Sequence, residues 1–461
     1  MLASDESSIA QSTSVNTPLA NGDPIRVMIV QVFPGLFAAA GGPRSDKAFL
    51  EALKSQGHEA LLFVGCFSHE IEDKQVTVNS VEILHPPTET PKELRLYRLT
   101  VNQLSVVAFC VDDLGGNGFI PSVYPADWLL GREENKMLEY YAQLIRKEVR
   151  RFQPTHFLCS DSLSLYAASE FMPQEKSGIK TIVITHVSNI LPFGPQDVSP
   201  VISASWPEDY NPYYTKVLES KVTGVWAVSK AIQEYIYKYG SVNIPVKHFP
   251  LHPSRFDASN APSYTNFDNP DACVVAINPG TLKGFSIFYP VAEEMADTKF
   301  IAVRSWDVTE YQASKLADLP NVELLAPMPT LEPVWKRTKI LVAPSLWLET
   351  FGNVVMEAML RGIPVVCSNA GGVPEAKCGI LHATIPVVLA TNERELDAEE
   401  ITRHGPLKVP QNDIQPWINE INSLLNDRSL YERISAESRQ AALDSISIKD
   451  SDYVTFLNSF S

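Results

Sequence analysis

Two glutamates, Glu349 and Glu357, stand with seven residues between them in the run APSLWLETFGNVVMEAMLRGIPVVCSNAGGVPE, residues 343–375. Two carboxylates repel a bare diphosphate, yet they accept hydrogen bonds well from pairs of neutral hydroxyls. Free amides at a helix start, together with the positive end of its dipole, bind phosphate with no cationic side chain. Gly352 lets the backbone turn closely before 353–361, where Val354, Val355, Ala358 and Met359 give a helix one core-facing side. Thr350, Phe351, Gly352 and Asn353 thus offer main-chain donors to a phosphate. Glu357, roughly two helical turns past Glu349, is placed to take vicinal hydroxyls such as those of ribose, and Glu349 is left for a sugar. The plain alternative is a pair of solvated glutamates on an amphipathic helix. The frame of strand, glycine, helix and then GGVPE at 371–375 disfavours it.

The elements around this run must position it. Residues 339–344, KILVAP, form a short β-rich stretch stopped by proline, a buried strand emptying into the loop that carries Glu349. Gly362 ends the helix, with Pro364 just behind. In the first half, 25–32 is a continuous apolar run and 45–56 has a helical period closed by Gly57, with Gly41 and Gly42 in the intervening loop. Strands are expected at 61–65, 81–84, 156–159, 179–185 and 224–229, and helices at 133–152 and 230–239. The stretch 241–272 is rich in Pro, Ser, Asn and Asp. A second alternation follows through 272–278, 286–296, 299–303, 322–325, 339–343 and 364–368.

Strands alternating with helices imply parallel sheets with right-handed crossovers. The fold class is therefore α/β, with two doubly wound, Rossmann-like domains facing a cleft between their strand ends. The expected boundaries are a disordered tail at 1–24, an N-terminal acceptor domain at 25–250, a linker at 251–271 and a C-terminal donor domain at 272–440. Residues 441–461 are assigned as a C-terminal helix able to pack back on the N-terminal domain. Residues 189–215, with Trp206, Tyr210, Tyr213, Tyr214 and five prolines, are expected to be irregular: either a lid on the acceptor side of the cleft or a loop packed on the surface.

The ETFGNVVMEAM and GIPVVCSNAGGVPEA segments resemble the retaining glycosyltransferases of the GT-B fold, family GT4 in particular, and the resemblance runs from about residue 25 to about 445. It implies transfer of a glycosyl group from a nucleoside-diphosphate sugar, uridine being the family's commonest base, to a hydroxyl of a small-molecule or glycan acceptor with anomeric configuration kept. The donor is then a substrate, and no tightly bound cofactor is implied. Lys283, in NPGTLKG at 278–284 after a strand, is placed to neutralise the departing diphosphate. The family usually carries an arginine five residues before that lysine, where this chain has Asn278; Arg304, directly after the strand at 299–303, is the expected substitute. Gly41 and Gly42 resemble the family's glycine loop, which approaches the donor from across the cleft, and Arg44 adds a cation nearby. His186 matches a histidine that touches the donor sugar; from the residue alone it is equally a general base, the feature of an inverting reaction, or a structural histidine. Asp161 matches an aspartate near the acceptor, without the usual His-Asp-Trp pattern around it.

Size and charge bound the alternatives. A chain of 461 residues suits two domains. Its net charge of −16 argues against nucleic acid or an anionic membrane as the main partner. Six scattered cysteines lack any C-x-x-C spacing, so neither a disulfide frame nor a zinc site is expected. No D-x-D motif closes a first-domain strand, and the DDLGGNG loop at 112–118 lacks the Gly-Lys-Ser/Thr ending of a phosphate loop, so the residues call for no metal. The first 23 residues resemble neither a secretory signal nor an anchor, and no spanning segment follows; a cytoplasmic location is expected. The oligomeric state is left open. The rival functions are a sugar-nucleotide epimerase of the same fold, a phosphorylase and a non-catalytic sugar-nucleotide sensor.

Overall fold

Each half of the chain forms one sheet, because its central parallel strands are apolar on both faces and need helices on either side to cover them. The computed structural model describes residues 24–38, 40–88, 91–115, 126–168, 178–187, 191, 193, 210–240, 242–257, 261–328, 330–391, 407–446 and 451–460. The first sheet contains β1 (Arg26–Val30), β2 (Glu59–Cys66), β3 (Val76–Leu84), β4 (Leu94–Val101), β5 (Leu104–Cys110), β6 (His156–Cys159), β7 (Lys180–Thr185), β8 (Gly224–Ala227) and β9 (Val246–His248), in the order β3-β4-β5-β2-β1-β6-β7-β8-β9. Pairing is parallel from β5 to β9 and antiparallel in the β3-β4-β5 meander. The second sheet contains β10 (Cys273–Ile277), β11 (Phe300–Val303), β12 (Val322–Leu325), β13 (Thr338–Ala343), β14 (Val365–Ser368) and β15 (Thr384–Ile385), ordered β12-β11-β10-β13-β14-β15 and parallel throughout.

That second order is the doubly wound one, and its direction reverses between β10 and β13. Loops leaving the carboxyl ends of the strands diverge at such a reversal and open a crevice. The loop after β10 carries Lys283, and the loop after β13 carries Glu349. In the first sheet the reversal falls between β1 and β6, so the segment that leads from β1 into the Gly41–Ser55 helix borders the corresponding crevice.

Helix formation follows the expected periodicity. Lys136–Phe152 buries Leu138, Tyr141, Ala142, Ile145 and Val149 on one face. Glu148 shares that face because Arg98 grips both its carboxylate oxygens at 2.7 and 2.9 Å. The helix begins later than its acidic prelude suggests, since the Asn135 side chain caps Met137 and Leu138 at 3.1 and 3.0 Å.

The structure departs from the sequence expectations in four places. The β3-β4-β5 meander replaces a lone strand at 81–84: β3 is exposed along most of its length, and the two-residue hairpin Asn102–Gln103 (φ 47° and 70°) lacks the glycine that marks such turns. The first helix starts at Gly41, so both glycines belong to its first turn and not to a loop. Tyr210 begins a helix, Tyr210–Lys221, inside a stretch expected to be irregular, while Trp206 lies outside the described residues. The helix Arg428–Ser445 runs through position 441, and the segment that returns to the first sheet is Ser451–Phe460. There Tyr453, Leu457 and Phe460 are buried with Phe49, Trp226 and Ile184 of the first half. Among the described residues no helix is long and apolar enough to cross a membrane.

Candidate functional site

Lys283 and Glu349 meet at the strand reversal of the second sheet. The Lys283 ammonium pairs with Glu349 Oε1, which also accepts from Ser345 Oγ at 2.7 Å. Two indoles flank the ammonium, with Nζ 5.3 Å from the Trp347 ring centre and 5.9 Å from that of Trp306. The Glu349 loop is held from behind by the glycine pair of GGVPE, where Gly372 N donates to Glu349 O at 2.7 Å. Gly352, in the left-handed region at φ 105°, then turns the chain into the helix Asn353–Leu360.

Asp307 fixes the lysine loop. Its buried carboxylate accepts from Leu282 N at 2.7 Å and Lys283 N at 3.0 Å, and its own amide donates to Asn278 Oδ1 at 3.1 Å. Burial pushes the Asp307 carboxyl up to about 7, against the pull of those two amides and of the Lys283 charge. An acid whose folded pKa lies above its unfolded value of about 3.9 favours folding below that value and loses this contribution as pH rises through the folded one. Asp307→Asn is therefore expected to flatten the fall in melting temperature between about pH 4 and 7, read as the difference between variant and wild-type pH profiles. Asp161, raised to about 6 by burial, leaves a residual slope that ends earlier. Identical profiles for the two proteins would show that Asp307 does not titrate there.

The first lobe closes over this pair at several points. Thr350 Oγ1 donates to His186 O at 2.7 Å. Arg44 Nη1 reaches Glu357 Oε1 at 3.0 Å, and only 9% of the Glu357 side chain is exposed. A Cβ on Gly41 would overlap the side-chain amide nitrogen of Asn353, so the two helix starts lie in close contact and a larger residue 41 would displace that side chain. Asn353 Oδ1 is buried without a hydrogen-bond partner among the described residues. Phe351 stacks on His252 with ring centres 4.7 Å apart, and Glu375 accepts from Lys230 N at 2.7 Å. His186 is itself fixed: Nε2 lies 2.7 Å from Asp46 Oδ1, while Gln31 Nε2 donates to the other Asp46 oxygen at 3.0 Å.

Lys283, Glu349, Thr350, Gly352, Asn353, Glu357, Gly41, Gly42 and His186 thus gather on the facing walls of one cleft. Four expected residues have other engagements. Asn278, at φ 57° and buried, spends its side-chain oxygen on the Asp307 amide. Arg304 pairs with Glu310 on the exposed rim of the second lobe. The second cation against the carboxylate pair is Arg44 from the first lobe. Asp161 caps the helix Ser162–Ala168, with Ser164 N and Oγ each 2.7 Å from its oxygens, so both lone-pair sets face a helix end and not an acceptor. Tyr210 opens a helix. Asp46, Asp307, Trp306 and Ser345 were not legible as site residues, since each matters only through partners distant in sequence. Glycine at 41 and 42, one turn ahead of Asp46, was the only local signal.

Among the described residues no group of three or more His, Cys, Asp or Glu side chains is arranged to hold a metal ion. A surface depression of about 820 Å³ lined by Asp271, Lys299, Glu323 and Arg337 lies at the opposite edge of the second sheet, where β10, β11 and β12 begin. It is remote from Lys283, and its Arg337 is paired with Glu323 at 2.6 Å.

Residues 276–427 match the family model described as Glycosyl transferases group 1. A Klebsiella pneumoniae protein described as an uncharacterized 42.6 kDa protein in the cps region is 37% identical over 93 residues, which cover 20% of this chain and 25% of that protein. The chain thus spans about a quarter of the length of the curated relative it matches. Among solved structures, sucrose-phosphate synthase from Thermosynechococcus elongatus is similar at TM-score 0.64 and 15% identity, over 95% of this chain and 100% of that one. The catalytic domain of starch synthase IV from Arabidopsis thaliana, bound to ADP and acarbose, is similar at TM-score 0.62 and 10% identity, over 95% and 99%. Anabaena HepE in complex with UDP-glucose is similar at TM-score 0.58 and 13% identity, over 94% and 99%. At these identities the likeness shows the fold, which is GT-B with two Rossmann-like domains.

Proposed function

We propose that the chain, whose residues 276–427 match the family model described as Glycosyl transferases group 1, moves a glycosyl group from a nucleoside-diphosphate sugar to a hydroxyl acceptor with anomeric configuration kept. The observation that carries the reading is the Lys283–Glu349 pair at the strand reversal, with Glu357 one helix further on and the Gly41 helix start opposite. In the reaction the bond from the anomeric carbon to the diphosphate oxygen breaks and a bond to the acceptor oxygen forms. The acceptor proton passes to the departing phosphate oxygen on the same face, so no protein nucleophile is needed. Lys283 and the amides at Gly352 and Asn353 stabilise the charge that builds on that phosphate. Glu357 takes the ribose hydroxyls after Arg44 gives way, and Glu349 takes sugar hydroxyls once Lys283 turns to the diphosphate.

His186 serves as a sugar contact in this scheme. Its Nε2 is committed to Asp46, which orients the ring, so the sugar contact falls to Nδ1. Uridine diphosphate is the first base to test, both from the family resemblance and because a structural neighbour is seen with UDP-glucose. The acceptor is a small molecule or glycan.

A donor screen by thermal shift tests the reading. One of UDP-glucose, ADP-glucose or GDP-mannose, at about a hundred times its Kd, is expected to stabilise the fold by about 2.7 kcal/mol, a rise of a few degrees. Absence of any shift across these donors and their parent diphosphates would remove the proposal. A second reading, binding without turnover, is favoured by Asn278, whose pinning of Asp307 adds no charge at the diphosphate. It predicts a thermal shift with no free sugar released on long incubation, whereas a transferase hydrolyses its donor slowly.

A further inference from the structure

Trp306 is the most exposed large hydrophobic residue beside the site, at 60% exposure. A solitary exposed indole needs no explanation. This one is built into place. Its neighbour Asp307 is anchored to the lysine loop by the three hydrogen bonds described above, and a Cβ on Gly280 would overlap the Asp307 carbonyl, so the Trp306 backbone is held against that loop. Trp306 meets Trp347 edge to face, with ring centres 5.8 Å apart and planes at 83°. The two rings belong to the loops after β11 and β13, one on each side of the lysine loop after β10. The Lys283 ammonium lies beside both.

The geometry points to Trp306 as an aromatic wall of the glycosyl pocket, against which the C–H face of a pyranosyl donor group packs while Glu349 and Lys283 address its hydroxyl and phosphate ends. This rests on the proposed function and adds to it the class of group transferred. A pyranose has an apolar face and a polar rim; an indole next to an ion pair offers surfaces of the same two kinds. The competing occupant, a nucleobase, fits less well. Ribose is assigned to Glu357, and the base lies beyond the ribose, away from the Lys283–Glu349 end where the indoles stand.

The test compares Kd values by titration calorimetry for a nucleoside-diphosphate hexose and its parent diphosphate, taking from UDP-glucose, ADP-glucose and GDP-mannose the one that binds wild type. For Trp306→Ala the hexose donor is expected to weaken roughly five- to tenfold, in line with the worth of an aromatic contact, with Trp306→Phe recovering most of the loss. The parent diphosphate is expected to bind within about twofold of wild type. An unchanged hexose-donor Kd overturns the wall; equal weakening of donor and diphosphate overturns it in favour of base stacking. If none of the donors binds wild type, the proposed function itself falls, and this inference with it. Melting temperatures of both variants within a degree or two of wild type confirm an intact fold, as expected for an exposed side chain.

Discussion

Lys283→Ala is expected to lower kcat by on the order of 10²–10³-fold, while donor affinity falls by about tenfold or less. The asymmetry follows from when the charge is needed. In the proposed scheme the ground-state diphosphate already shares its charge with helix amides, and the lysine adds a modest increment. As the glycosidic bond breaks, a further negative charge concentrates on the leaving oxygen, and a fixed ammonium acts most strongly there. Lys283 is suited to this because the backbone beneath it is immobilised by Asp307 and its side chain is boxed between Trp306 and Trp347. The measurement is single-turnover donor cleavage with saturating donor. Lys283→Arg, which keeps the charge, should recover part of the rate; equal rates for wild type and the alanine variant would remove Lys283 from the reaction.

Glu357→Ala is expected to act on the other parameter, raising Kd for the nucleotide by about 10- to 100-fold, the worth of charge-assisted hydrogen bonds at about 1.5–3 kcal/mol. At saturating donor its kcat stays near wild type, because ribose contacts are made equally before and during bond breaking. Arg44 complicates the wild-type binding step, since its guanidinium pairs with the Glu357 carboxylate. Its loss of that partner costs the variant little, as 43% of the Arg44 side chain is exposed to water. Nucleoside diphosphates lacking the ribose hydroxyls provide the control. They should bind wild type and variant alike, and a variant that discriminates between the two ligands as wild type does would overturn the ribose assignment.

The parts of this molecule legible in its sequence are those whose chemistry is local. The Glu349–Glu357 frame needs only a strand, a glycine and one short helix, all written in consecutive residues, and the strand–helix alternation of the second half follows from apolar period alone. Illegible features depend on partners far along the chain. Whether Asn278 faces a ligand or the Asp307 amide is decided by a loop 29 residues on. Arg304 looks like a spare cation until Glu310 folds beside it. Asp161 carries the residue type of an acid near an acceptor, yet a serine three positions later turns it into a helix cap. The meander was hidden for another reason: β3 is so exposed that burial leaves no alternation to read.

The return of Tyr453, Leu457 and Phe460 to the first lobe has a mechanical corollary. The polypeptide passes between the lobes once before β10 and again after Ile446, so the two halves are stitched at two separate points. A body stitched at one point can tumble; stitched at two, it swings about the line that joins them. Any relative movement of the lobes would thereby be confined to rotation about that line, which would bring Arg44 and His186 back to the same opposing residues.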